Sequence, residues 1–69
     1  MQIIEIEKIS GIERSSLSRM KNGRRKRIGV DLAKQINSFT GTDIGELVSM
    51  DVKKIFEIIK ETAEKEGET

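Results

Sequence analysis

The groups best suited to chemistry lie in one polar segment, residues 14–21, and in the basic run Arg24–Arg27 that follows the dipeptide Asn22-Gly23. An arginine guanidinium can donate two hydrogen bonds at once to the O6 and N7 atoms of guanine, and a serine hydroxyl can contact any base edge. We therefore predict that four side chains of this segment contact DNA bases: Arg14, Ser15, Ser18 and Arg19.

A second set of groups suits phosphate oxygens, which fix the position of a protein on DNA without reading its sequence. Its members are hydrogen-bond donors or cations, namely Ser16, Lys21, Asn22, Arg24, Arg25, Lys26 and Arg27. For Arg14 and Arg19, an ion pair with Glu7 or Glu13, or simple solvation, is the alternative role. Glu13 is expected to cap the helix that begins after it, since a carboxylate is favourable at a helix N-terminus.

The distribution of charge favours a polyanionic partner. The chain has 13 basic and 12 acidic residues and a net charge of +1. Residues 14–34 carry a net charge of +7, whereas residues 1–13 carry −2 and residues 35–69 carry −4. A segment with so high a positive charge in a chain of 69 residues suits binding to nucleic acid. The alternative is that these side chains only form a solvated charged surface, which is common in helical proteins.

The composition excludes several classes of function. Cysteine and histidine are both absent, which removes disulfides, thiolate zinc sites, most other metal sites and the commonest acid–base catalyst. We therefore expect no enzyme activity, no metal and no cofactor. No apolar run approaches the roughly 20 residues of a membrane span, and no signal-peptide pattern opens the sequence, so we expect a cytoplasmic protein without a membrane partner.

Apolar spacing and glycines predict an all-α fold. Residues 2–6 fit either a helix or a strand, but Gly11 favours a helix at least from Ile6, because glycine suits the left-handed position after a helix end. A second helix is predicted over residues 14–21, with Leu17 and Met20 facing inward and Asn22-Gly23 as its stop.

Two further helices are predicted after the basic run. One covers residues 30–39, with Val30, Ala33 and Ile36 on its buried side, and Thr40-Gly41-Thr42 breaks it. The next is short and begins at Asp43, with Glu46 completing a pattern that resembles a capping box.

A last helix is predicted over residues 51–65, with a frayed tail at residues 67–69. It carries one apolar stripe, formed by Val52, Ile55, Phe56 and Ile59. This stripe either covers the core of the same chain or forms the seam of a dimer, and both roles hold at once if two chains exchange helices.

Residues 6–48 resemble the helix-turn-helix domains of the phage lambda repressor and Cro family, a match over roughly two-thirds of the chain. The resemblance implies a small lambda-repressor-like domain whose helix 14–21 reads the DNA major groove, flanked by phosphate contacts. It rests on Gly11-Ile12, Ser15–Met20, Asn22-Gly23, Val30–Ile36, and Thr40-Gly41 leading to Ile44 and Leu47.

Three departures from the family pattern stand out. Members have a helix before the motif, whereas only residues 1–5 precede it here, so the family's first helix is missing or very short. Glu7 stands where members usually have alanine, and Lys21 where they often have glutamate. The C-terminal helix is the segment able to cover the apolar core in place of the family's first helix.

Together these observations predict a helix-turn-helix domain over residues 1–50 and a C-terminal helix over residues 51–69. The expected function is sequence-specific binding of double-stranded DNA by a homodimeric transcriptional repressor, because two half-sites supply affinity that one small unit lacks. The alternative is a protein-interaction module, an antirepressor or antitoxin-type partner, that uses the helix-turn-helix as a scaffold and binds another protein through its C-terminal helix.

Overall fold

The computed structural model describes residues 2–23 and 27–67, and these residues form five α-helices without a strand. The helices are α1 (Ile3–Ser10), α2 (Arg14–Asn22), α3 (Val30–Thr40), α4 (Ile44–Ser49) and α5 (Val52–Gly67). The prediction of an all-α fold is therefore confirmed. The choice left open for residues 2–6 is decided in favour of a helix, which begins at Ile3.

The helices are arranged around one apolar core that all five share. Helix α5 packs against α1, α2 and α3, while α3 also packs against α4 and α1 against α2. Each helix contributes at least one fully buried side chain, such as Ile6, Leu17, Ile36, Leu47 and Ile59. Within the described ranges, no helix is long and apolar enough to cross a membrane.

Helix α5 closes the core from the C-terminal end of the chain. Its stripe of Val52, Ile55, Phe56 and Ile59 is at most 9% exposed, and Ala63 extends it by another turn. Of the two roles left open for this stripe, cover of the chain's own core is the one that the fold displays. A homodimer stays a prediction; without an exchange of α5 between two chains, it would use a surface other than these four side chains.

The segment between α3 and α4 is held by its own polar side chains. Gly41 adopts φ +78°, and its N–H donates to the carbonyl of Asn37. The Asn37 amide in turn donates to the carbonyl of Thr42 at 2.7 Å, and the Thr42 N–H donates to the Thr40 hydroxyl at 3.2 Å. The carboxylate of Asp43 then accepts from the N–H of Glu46 at 3.3 Å, as the capping pattern predicts.

One expectation about the core is wrong. Val30 is 56% exposed, whereas Ala33 and Ile36, one and two turns later, are fully buried. Val30 is the first residue of α3, and side chains on a helix tilt toward its N-terminus, so this side chain projects past the end of the packed surface. Gly67, expected to be frayed, is the last residue of α5, and residues 68–69 lie outside the described ranges.

Truncating the stripe should destabilise the domain. Ile59→Ala removes a fully buried side chain and should lower the free energy of unfolding by about 2–5 kcal/mol, whereas the matched variant Ile4→Ala, at a 41% exposed position of α1, should change it by less than about 0.5 kcal/mol. Urea unfolding followed by circular dichroism measures both values. Equal effects of the two variants would contradict the placement of α5.

Candidate nucleic-acid interface

The turn between α1 and α2 sets the angle at which α2 leaves the core. Gly11 adopts φ +78°, a backbone conformation that costs residues with a Cβ atom free energy, and its N–H donates to the Glu7 carbonyl at 2.9 Å. The Ser10 hydroxyl donates to the carbonyl of Ile6 at 2.7 Å and accepts from the N–H of Ile12 at 3.1 Å. Ile12, 1% exposed, anchors the end of this turn in the core.

Two apolar side chains fix the rotation of α2 about its axis. Leu17 is fully buried and Met20 is 2% exposed, and these are the buried residues of the helix. The polar positions therefore form an outer face, as the sequence predicted. Arg14, Ser15 and Arg19 are exposed there, and Ser18 is half-buried.

Four polar side chains of this outer face line one shallow depression: Ser15, Ser18, Arg19 and Asn22. The structure thus brings together three of the four predicted base-contacting residues and one predicted phosphate-contacting residue. A surface of hydroxyl, guanidinium and amide groups on one helix can donate to and accept from the edges of base pairs. In the described part of the chain Arg19 has no ion pair, so its guanidinium is not committed to a protein carboxylate.

Arg14, the fourth predicted base-contacting residue, lies at the start of α2 beside a carboxylate of α1. Oε2 of Glu7 accepts a hydrogen bond from the backbone N–H of Arg14 at 2.8 Å, and Oε1 of Glu7 is 3.9 Å from Nε of Arg14. The Arg14 side chain is nevertheless 63% exposed. The alternative role considered for Arg14, an ion pair with Glu7, is therefore present, and it leaves most of the side chain in solvent.

The expectation that Glu13 caps α2 is wrong. Glu13 is the N-cap residue, but its side chain makes no capping hydrogen bond. Glu7 supplies the carboxylate instead, because the tight turn at Gly11 returns α1 to the N-terminus of α2. Glu7 and Arg14 are seven residues apart and belong to different helices. Their hydrogen bond therefore depends on tertiary structure, and no local capping pattern predicts it.

The predicted phosphate-contacting residues are spread over different surfaces. Lys21 and Asn22 are exposed at the end of α2, and Arg27 is exposed in the following segment. Ser16 instead lines a groove between the turn and α3, next to the carboxylate-bearing residues Glu13 and Asp31, which oppose a phosphate at that point. Arg24, Arg25 and Lys26 lie outside the described residues.

Lys53 joins this surface without having been singled out from the sequence. Gly23, with φ +67°, ends α2, and a Cβ atom on it would lie 2.7 Å from Cε of Lys53. The aliphatic stem of Lys53 therefore lies over Gly23, and its ammonium group sits near the negative end of the α2 dipole. Lys53 and Gly23 are close because the first turn of α5 packs on the end of α2. No residue spacing in the sequence predicts this contact.

Comparisons with protein-family models, with curated proteins and with solved structures give no match for this chain. The case for a function therefore depends on the geometry of α1, the turn and α2.

The turn conformation can be tested by substitution. Gly11→Ala should lower the free energy of unfolding by about 1–2 kcal/mol, because a left-handed backbone is unfavourable for alanine although no neighbouring atom lies within 4 Å of the added Cβ. Gly11→Asn should cost less, since asparagine tolerates this conformation better. Thermal or urea unfolding of both variants provides the measurement, and an alanine variant as stable as the parent would contradict the left-handed turn.

Proposed function

We propose that this protein binds double-stranded DNA sequence-specifically and regulates transcription as a repressor, with α2 as the helix that enters the major groove. The observation that carries the proposal is the outer face of α2. Ser15, Ser18, Arg19 and Asn22 share one surface, while Leu17 and Met20 fix the opposite face in the core. A rigid helix with hydrogen-bonding groups on its exposed side is what direct reading of base edges requires.

The dimensions of the motif support this use. Helix α2 has nine residues, so it is about 13 Å long at 1.5 Å per residue. The major groove of B-DNA is about 12 Å wide and admits an α-helix, whose diameter with side chains is about 10–12 Å, so the length of α2 sets only how much of the groove it can follow. A short helix held at its N-terminus by a tight turn can present its first two turns to base edges while its C-terminal end meets the backbone.

The cations at the C-terminal end of α2 support contacts to phosphates. Lys21 is exposed in the last turn of α2, the exposed Lys53 lies over Gly23 at its end, and the basic residues 24–27 follow α2 in the sequence. Each cation that neutralises a phosphate releases a counterion and makes the affinity depend on salt. Base-reading and phosphate-binding groups would then occupy adjacent parts of one surface, as a sequence-specific site needs.

The alternative of a protein-interaction module loses its principal surface. That hypothesis places the contact with another protein on the C-terminal helix, whose apolar stripe of Val52, Ile55, Phe56 and Ile59 is buried within the chain. A homodimer belongs to the proposal, because two copies on adjacent half-sites would supply the affinity that a nine-residue helix lacks.

Selection of bound duplexes from a random library tests the proposal directly. We expect an enriched sequence, and two copies of it related by a dyad about one helical turn apart if the protein binds as a dimer. Repeating the binding measurement over a salt series separates specific from purely electrostatic binding. Failure to enrich any sequence at moderate salt would refute sequence-specific DNA binding.

The two arginines of α2 should affect the preference for one DNA sequence over another more than the overall affinity for DNA. Arg14→Ala and Arg19→Ala should each reduce discrimination against a wrong base pair by about 1–3 kcal/mol, since each removes a bidentate guanine contact. Arg25→Ala should instead weaken binding to all duplexes alike. Competition binding with the enriched duplex and single-base variants measures these effects, and a changed preference in Arg25→Ala but not in Arg14→Ala would place the reading surface elsewhere.

Lys53 should behave as a phosphate-binding residue. Lys53→Ala should reduce the slope of log affinity against log salt by about 1 while leaving the preferred sequence unchanged. Lys65→Ala is the matched control, because it removes the same charge from an exposed position roughly 18 Å further along α5. Equal slopes for these two variants would exclude Lys53 from the DNA-binding surface.

A further inference from the structure

The carboxylate of Glu7 interacts with Arg14 at two separate points. Its Oε2 accepts a hydrogen bond from the Arg14 backbone N–H at 2.8 Å, and its Oε1 lies 3.9 Å from Nε of the Arg14 guanidinium. The first interaction fixes the carboxylate at the N-terminus of α2, where negative charge is favourable. The second places the same carboxylate beside the inner nitrogen of the arginine.

This arrangement restrains the base of the guanidinium and leaves its outer end available. The Glu7 side chain is 34% exposed and that of Arg14 63%, so the pair lies at the surface of the motif with the arginine extending further out. A guanidinium has five N–H donors, and an attraction at Nε leaves both terminal nitrogens able to donate to O6 and N7 of guanine. Restricting a long side chain before binding reduces the entropy lost when it contacts a base.

Arg19 provides a contrast on the same helix. It lies on the outer face of α2, and no carboxylate of the described residues forms an ion pair with it. Arg14 and Arg19 therefore differ in preorganisation although they are the same residue type. The negative charge of Glu7 also opposes nearby phosphates, which disfavours placements of Arg14 on the DNA backbone.

We propose that Glu7 is a specificity-determining positioning residue, which orients Arg14 toward a guanine edge and away from phosphates. The inference rests on the proposed function, since it concerns the DNA surface of α2. It assigns Glu7 an effect on sequence preference through Arg14 and no contact of its own with a base.

Glu7→Gln is the variant that tests this role. The glutamine amide oxygen can still accept from the Arg14 N–H, so the start of α2 is retained, while the charge beside Nε is lost. We expect preference for the enriched duplex over random duplex to fall by about threefold to tenfold, a part of the roughly 5-fold to 150-fold that one bidentate contact provides. The loss should fall on the same base pair at which Arg14→Ala loses its preference, and binding to random duplex should strengthen.

A double-mutant cycle separates positioning from other roles. In the Arg14→Ala background, Glu7→Gln should leave the relative affinities for single-base variants unchanged, because the arginine that Glu7 orients is absent. An equal loss of preference with and without Arg14 would overturn the inference, as would unaltered preference in Glu7→Gln alone. If the wild-type protein prefers no sequence, the proposed function itself is refuted, and the wild-type data alone reveal it.

Arg14→Lys gives a second test that does not depend on the stability of Glu7→Gln. Lysine keeps the positive charge and the backbone N–H bonded to Glu7, but it has neither Nε nor a planar pair of donors. We expect Arg14→Lys to lose preference at the same base pair with an unchanged salt slope and an unchanged circular dichroism melting curve. Retained preference in Arg14→Lys would show that orientation of a guanidinium by Glu7 is not what selects the base.

Discussion

Burial of α5 against α1, α2 and α3 is the interaction on which the remaining structure depends. The motif formed by α1 and α2 is only 20 residues long, and its inward side chains Ile6, Leu17 and Met20 need an apolar surface to pack against. Ile55 and Ile59 of α5 belong to the same core and are completely buried there. Without this packing, the rotation of α2 about its axis would not be fixed, and its polar face would have no defined direction.

Three helix ends depend on a second constraint, the left-handed backbone of glycine. Gly11, Gly23 and Gly41 have φ values of +78°, +67° and +78°, and each directly follows a helix. At Gly23 a side chain would also meet the Lys53 stem, so the same position ends α2 and makes room for α5. Chain reversal at these points lets five short helices share one core.

The sequence predicted best what depends on local spacing. Leu17 and Met20 lie three residues apart, and this spacing was enough to orient α2, just as Gly11 and Asn22-Gly23 marked its limits. It left the ion pair of Arg14 open between Glu7 and Glu13, and it could not predict that Glu7 also caps α2, because Glu13 is the local candidate for that role. The exposure of Val30 could not be predicted, because helical spacing alone does not tell where the neighbouring packed surface ends. The position of Lys53 beside Gly23 could not be predicted either, because it depends on how α5 packs against α2.

The pairing of the first helix with the last has a consequence for how the chain is made. Residues near position 6 and residues near position 59 share one core, so the N-terminal motif has no complete apolar partner until α5 has been synthesised. A nascent chain stopped after α4 would expose the surface that Val52, Ile55 and Ile59 normally cover, and proteases and chaperones act on such surfaces. Folding of the motif during translation is thereby postponed until α5 is available to pack against α1 and α2.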